Sequence, residues 1–261
     1  MQQKVGKVTN ASALEPGTHE IHAYVHRVGT DWWEKSNKCT VTVYGSCTQG
    51  YRHVWAGKDD ANLVGVQATI RTRYGDLCCE PFGTAAAFSI AYVDIDFNAP
   101  PLKWGQTGYG QERYAGSTTI YNYRYWEIMG TGTTPSYKYD YDNAPSEGSF
   151  PHYCAELDNS TGEWTFYYDL VAWDSNTDTF WVGKTCDRAA WHGEIYNVED
   201  DMVGTSSNKC YFANCGYKKI GGTYQSAGLT VADVNSSDTN QWGAQYVDPT
   251  SFNIWDIIPG Q

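Results

Sequence analysis

No stretch of this chain sustains a helical period. Apolar residues alternate with polar ones in short runs, each closed by Gly, Asn, Asp, Pro or Ser clusters. The runs span 39–45, 52–57, 63–74, 86–97, 117–129, 164–173, 179–185, 190–197 and 208–219. In the run ending at Phe97, Phe88, Ile90, Tyr92, Asp94 and Asp96 share one face. Ser89, Ala91, Val93, Ile95 and Phe97 share the other. A chain built this way folds as an all-β sandwich or barrel. With 261 residues, no repeat and no linker, it reads as one domain over 1–261. Residues 1–18 form an arm or edge strand, and a last strand lies at about 251–258. Segment 130–152 reads as a long surface loop, rich in Gly, Thr, Pro, Tyr and Asp.

The net charge is −12, which argues against nucleic acid and anionic membranes as partners. No apolar run is long enough for a membrane span, and no signal-peptide pattern is visible; Met1 followed directly by polar Gln2-Gln3-Lys4 reads as an added start on a mature chain. Eight cysteines suggest disulfides: Cys39 with Cys47, Cys210 with Cys215 and Cys154 with Cys186, leaving Cys78 and Cys79 vicinal or split. Spacing alone leaves the connectivity open, and it does not match a zinc site. His22 and His26 share a strand face, where a solvated surface is the plainer reading than a metal site. Sequons at Asn10, Asn159 and Asn235, together with the cysteines, point to a secreted glycoprotein.

The chain has 11 Trp and 21 Tyr, and three segments set polar groups among such rings. These are Trp104-Gly105-Gln106-Thr107-Gly108-Tyr109, Tyr123-Arg124-Tyr125-Trp126-Glu127 and Ala190-Trp191-His192-Gly193-Glu194. A carboxyl beside rings is poorly solvated, so its pKa rises toward the range useful for acid–base work. An amide orients water and donates to an oxyanion. Each segment taken alone also suits an ordinary half-exposed strand.

Their order carries more. Trp55-Ala56-Gly57, Val64-Gly65-Val66-Gln67-Ala68-Thr69-Ile70, Ala91-Tyr92-Val93-Asp94-Ile95-Asp96, Gln106-Thr107-Gly108, Tyr125-Trp126-Glu127 and Ala190-Trp191 follow one another. The series resembles the eqolisin glutamic peptidases, with their W-A-G, W-V-G-I, Q-x-G, W-Y-E-W and A-E-W motifs. Trp191-His192-Gly193-Glu194-Ile195-Tyr196-Asn197, followed by Asp201-Met202-Val203-Gly204, is also similar to the neprosin peptidases. The likeness covers residues 52–220. It implies a concanavalin-like antiparallel sandwich of two packed sheets, with Gln106 as the catalytic amide and Glu127 in the cleft. Ala190 stands where the eqolisin glutamate would be, and the neprosin-like alignment puts a carboxylate at Glu194 instead. Trp126, Trp191, Trp104 and Tyr125 are then expected to bind substrate. The resulting expectation is a secreted, acid-active endopeptidase that acts on polypeptides with neither metal nor cofactor. The alternatives are an inactive sandwich that binds extracellular glycans or peptides, and a structural, self-assembling protein.

Overall fold

The computed structural model describes residues 17–21, 24–26, 33–35, 39–43, 49–77, 87–97, 102–114, 117, 119–197 and 200–257. It divides into two compact units, 1–46 and 47–261. In the first, β1 (Gly17–Ile21) pairs antiparallel with β4 (Cys39–Val43), and β2 (Tyr24–His26) with β3 (Trp33–Lys35). His22, Cys47, Cys78, Cys79 and Asn10 lie outside the described residues, as does the side chain of Cys39.

The second unit is an all-β sandwich whose strands are hydrogen-bonded into one continuous sheet. The connection is β5 (Gln49–Ile70), which belongs to both layers. Sequence reading divides this stretch at residues 58–62, where charged and small residues interrupt the alternation. The strand carries through them, with Asn62 in the left-handed region at φ 62°. Next come β6 (Ala87–Asp96), β7 (Trp104–Arg113), β8 (Tyr121–Met129) and β9 (Ser136–Asp140). Then follow β10 (His152–Asp158), β11 (Glu163–Tyr168), β12 (Val171–Thr177), β13 (Cys186–Asn197), β14 (Gly204–Thr205) and β15 (Asn208–Lys219). The chain closes with β16 (Tyr224–Ser226), β17 (Val234–Ser236), β18 (Trp242–Asp248) and β19 (Ser251–Asp256). One layer runs β17-β5-β13-β6-β7-β8-β9. The other runs β12-β11-β10-β5-β15-β19-β18.

The inner faces interlock through aromatic rings. The Trp126 ring stacks on Phe166 with centroids 5.0 Å apart, and the Trp191 indole N–H donates to the Gln67 carbonyl at 2.9 Å. Gly105 is glycine because Trp164 lies over it: a Cβ there would come within 2.3 Å of the indole ring. Trp164, Trp181, Trp191 and Trp242 are all fully buried.

Several expectations change. The long loop contains β9, and residues 179–185 are not a strand. Thr179–Trp181 form a 3-10 turn, because the Asp178 carboxylate caps it by accepting the Phe180 N–H at 2.9 Å. The pairs Cys154–Cys186 and Cys210–Cys215 are also corrected, since all four are buried free thiols. Cys210 and Cys215 lie five residues apart on β15, roughly 15 Å along the strand and beyond the reach of a disulfide. Cys154 Sγ instead meets the Tyr224 hydroxyl at 2.9 Å, and Cys210 Sγ meets the Tyr109 hydroxyl at 3.5 Å.

Candidate active site

Strands β13, β6, β7 and β8 lie side by side and carry the site. Their register aligns Ala190, Asp94, Gln106 and Glu127 in one row across the sheet. The next row, two residues along, is His192, Tyr92, Gly108 and Tyr125. The one beyond it is Glu194, Ile90, Gly110 and Tyr123. On the other side stand Arg188, Asp96, Trp104 and Met129. Because side chains alternate along a strand, these rows share a face. Their side chains line a cleft of about 1180 Å³, with Tyr51, His53 and Trp55 of β5 at one margin and Tyr139 of β9 at the other. Glycine is required within the rows: a Cβ on Gly110 would come within 2.4 Å of Ile90 and 3.0 Å of Tyr123.

The structure joins Gln106 directly to Glu127. Gln106 Nε2 donates to Glu127 Oε2 at 3.1 Å and lies 3.4 Å from the Tyr125 hydroxyl. Tyr139 donates its O–H to Glu127 Oε1 at 3.2 Å. Glu194 stands four residues from Ala190, about 13 Å along the strand, with its carboxyl still within electrostatic reach of Glu127 and Asp94, whose charges add to its raised pKa. It accepts the Tyr92 O–H at 2.7 Å, and His53 Nδ1 lies 3.6 Å from the same oxygen. Tyr92 packs edge-on to Tyr125, with centroids 6.5 Å apart, and stacks on His192 at 4.9 Å. Two rings therefore connect the Glu194 end of the cleft to the Gln106–Glu127 pair.

Trp104 and Tyr125 line the cleft, whereas Trp126 and Trp191 do not. They are one residue out of phase with Glu127 and His192, so the pleat turns them into the core. Sequence reading also left unused the groups at the centre of the cleft. His192 Nε2 lies 3.1 Å from Asp94 Oδ1, and Arg188 Nε donates to Asp96 Oδ2 at 3.1 Å. The signal was present in the sequence: Asp94 and Asp96 are two carboxyls on one face of an otherwise apolar strand. Among the described residues, no group of three His, Cys, Asp or Glu side chains is placed to hold a metal.

Burial sets the protonation states. Desolvation raises Glu127 to about 7 and Glu194 to about 7, the Tyr92 hydrogen bond opposing the latter. It likewise raises Asp94 to about 6 and Asp96 to about 7, against the pull of Arg188. Desolvation lowers His53 to about 4 and His192 to about 3, so both imidazoles are neutral at pH 7. Stability should follow. Between the unfolded carboxyl range and pH 7, the four raised carboxyls hold protons in the folded state that the unfolded chain has released. Stability therefore falls as pH rises through that window. The two imidazoles act with opposite sign between about pH 4 and 6.5, but four groups outweigh two. Thermal unfolding followed by circular dichroism should give a higher Tm at pH 5 than at pH 8, by about 2–4 °C for each kcal/mol lost. An equal or lower Tm at pH 5 would refute this balance.

No family model and no curated protein matches the sequence. Solved structures do match the fold. The crystal structure of scytalido-glutamic peptidase with a peptide-based transition-state analogue aligns at a TM-score of 0.52 and 16% identity, covering 80% of this chain and 100% of that one. The structure of SCP-B, a member of the eqolisin family of peptidases in complex with the tripeptide Ala-Ile-His, aligns at a TM-score of 0.44 and 14% identity. That match covers 81% of this chain and 100% of the other. The fold is therefore an all-β sandwich like that of the glutamic peptidases. No helix among the described residues is long and apolar enough to cross a membrane.

Proposed function

We propose that the protein is a glutamic-type endopeptidase that hydrolyses an extended polypeptide laid across this cleft. The observation that carries the reading is the Gln106–Glu127 hydrogen bond at 3.1 Å, on adjacent strands at the floor of a cleft walled by rings. A primary amide has two N–H bonds. One is held by Glu127. The other points toward the Tyr125 hydroxyl over a long 3.4 Å, so a carbonyl oxygen that gains charge can take that place without the amide turning. Glu127 fixes the amide plane, so the donor does not reorganise during reaction. A carboxylate takes the proton from water as the water attacks the carbonyl carbon. With carboxyls raised to about 6 to 7, such a base is ionised nearer neutrality than the sequence implies, and activity should rise from pH 4 toward pH 7.

Glu194 is assigned to the neighbouring subsite, where it and Tyr92 present a polar edge to the bound chain. Glu194→Gln should raise KM while keeping at least a third of kcat, and loss of nearly all kcat would return the general-base role to Glu194. Secretion and glycosylation belong to this proposal as well. Asn159 and Asn235 are described sequon sites on a turn and on β17. Mass spectrometry of the protein from its own source decides both.

The function is tested by digesting reduced, alkylated casein from pH 3 to 8 with wild type beside Glu127→Gln. Cleavage by the wild type, lost in the variant, supports the reading. No cleavage by folded wild type at any pH removes it. One observation favours a second reading, a sandwich that binds peptide or glycan without cutting it. Ala190 puts a methyl group in the row where the resemblance expects a glutamate. Retention of an intact peptide by inactive wild type would establish that alternative.

A further inference from the structure

Resting on the peptidase reading, we infer that Asp94 is the general base of the site, acting from the strand between Ala190 and Gln106. The register leads to this assignment. Asp94 stands directly opposite Gln106 on one side and Ala190 on the other, so its carboxyl occupies the same row as the Gln106–Glu127 pair. No other acidic side chain is one strand from Gln106 on that side in the same row. Glu194 is two strands away and four residues further along. The small Ala190 side chain leaves the space beside Asp94 open to the cleft.

Its surroundings suit a base. Asp94 is 5% exposed, so little bulk water solvates it. On its own strand it shares a hydrogen bond with Asp96, and Arg188 from β13 neutralises that partner. His192 from β13, neutral because it is buried, brings Nε2 to 3.1 Å from Asp94 Oδ1, yet that oxygen accepts no hydrogen bond from the described residues and stays open to a water. Neighbouring Gln106 brings an amide donor and no charge. The arrangement is a carboxyl with one unpartnered oxygen beside an imidazole, an amide donor on one flank and an open position on the other.

The chemistry closes without a further reagent. The Asp94 carboxylate takes one proton from a water molecule. The water oxygen forms a bond to the peptide carbonyl carbon, and the C=O π pair moves to the carbonyl oxygen, where the Gln106 N–H holds it. On collapse, that pair re-forms the C=O bond and the C–N bond breaks. The nitrogen keeps the bonding pair and takes the proton from Asp94, leaving a carboxylic acid, an amine and the original carboxylate.

The test uses the full chain and reduced, alkylated casein. Asp94→Asn should lose at least 100-fold in kcat with KM changed less than threefold. Because the introduced amide could disturb its buried neighbours, Asp94→Gly is measured in parallel with added sodium formate, whose small carboxylate fits the vacated space. Formate should restore at least tenfold of the lost rate. Ala190→Glu combined with Asp94→Gly moves the carboxyl one strand over and should also regain activity. If Asp94→Asn keeps more than a third of wild-type kcat while Glu127→Gln is inactive, the assignment of Asp94 is overturned and the peptidase reading stands. Equal loss in Asp94→Gly with and without formate also overturns it. If wild type is inactive but Ala190→Glu with Asp94→Gly cleaves, Asp94 does not serve as the base. If neither cleaves, both the assignment and the peptidase reading fall.

Discussion

Replacing Gln106 by alanine is expected to lower kcat for peptide hydrolysis by about 10²–10³-fold, the loss typical of removing one oxyanion donor. KM should change little, because the amide N–H strengthens its contact only as the carbonyl oxygen gains charge. The fold should survive. Gln106 sits mid-sheet on β7, but its side chain faces the cleft and contributes nothing to the core. Glu127, its partner, keeps the Tyr139 hydroxyl at 3.2 Å. Steady-state kinetics on a fluorogenic peptide, with Tm measured on the same preparation, makes the comparison. A kcat within threefold of wild type would take Gln106 out of the reaction, and the row across β13, β6, β7 and β8 would then need another oxyanion donor.

Trp191→Ala is expected to cost about 3–5 kcal/mol of stability, the range for deleting a fully buried large aromatic. Trp191 has no exposed surface, and its indole N–H is satisfied by the Gln67 carbonyl of β5 at 2.9 Å. Removing the ring opens a cavity between the layers and leaves that carbonyl without its donor. Urea unfolding followed by fluorescence measures the loss. The milder Trp191→Phe separates core from cleft. It should lower stability while leaving KM for peptides unchanged, because the ring faces away from the cleft. A raised KM with unchanged stability would return Trp191 to the role of cleft wall.

Much of the site was legible because strands are periodic. The face holding Tyr92, Asp94 and Asp96 can be read from residues 88–97, and β6 is built on that division. Gln106 and Glu127 stand out as polar groups among rings, and the structure pairs them. The same periodicity, applied more strictly, separates Trp191 from His192 and Trp126 from Glu127. Ring chemistry drew them to the cleft in the sequence reading, but the pleat sends alternate side chains to opposite faces. β7 was less legible as a strand. Three glycines in Trp104–Arg113 depress its β-propensity, yet two of them are needed where Trp164 and Tyr123 approach the backbone.

By itself, the sequence determined the all-β class, the alternating faces of its strands, and the carboxyl, amide and aromatic groups available for chemistry. These properties repeat every two residues and need no knowledge of distant neighbours. Tertiary structure alone decided which of those groups meet. Pairing register brought Asp94, Gln106 and Glu127 into one row from three strands and left Glu194 four positions away. Burial then raised their carboxyls toward pH 7 and left four cysteines as isolated thiols. Register and burial depend on contacts between residues far apart in the chain, and local alternation carries no record of those contacts.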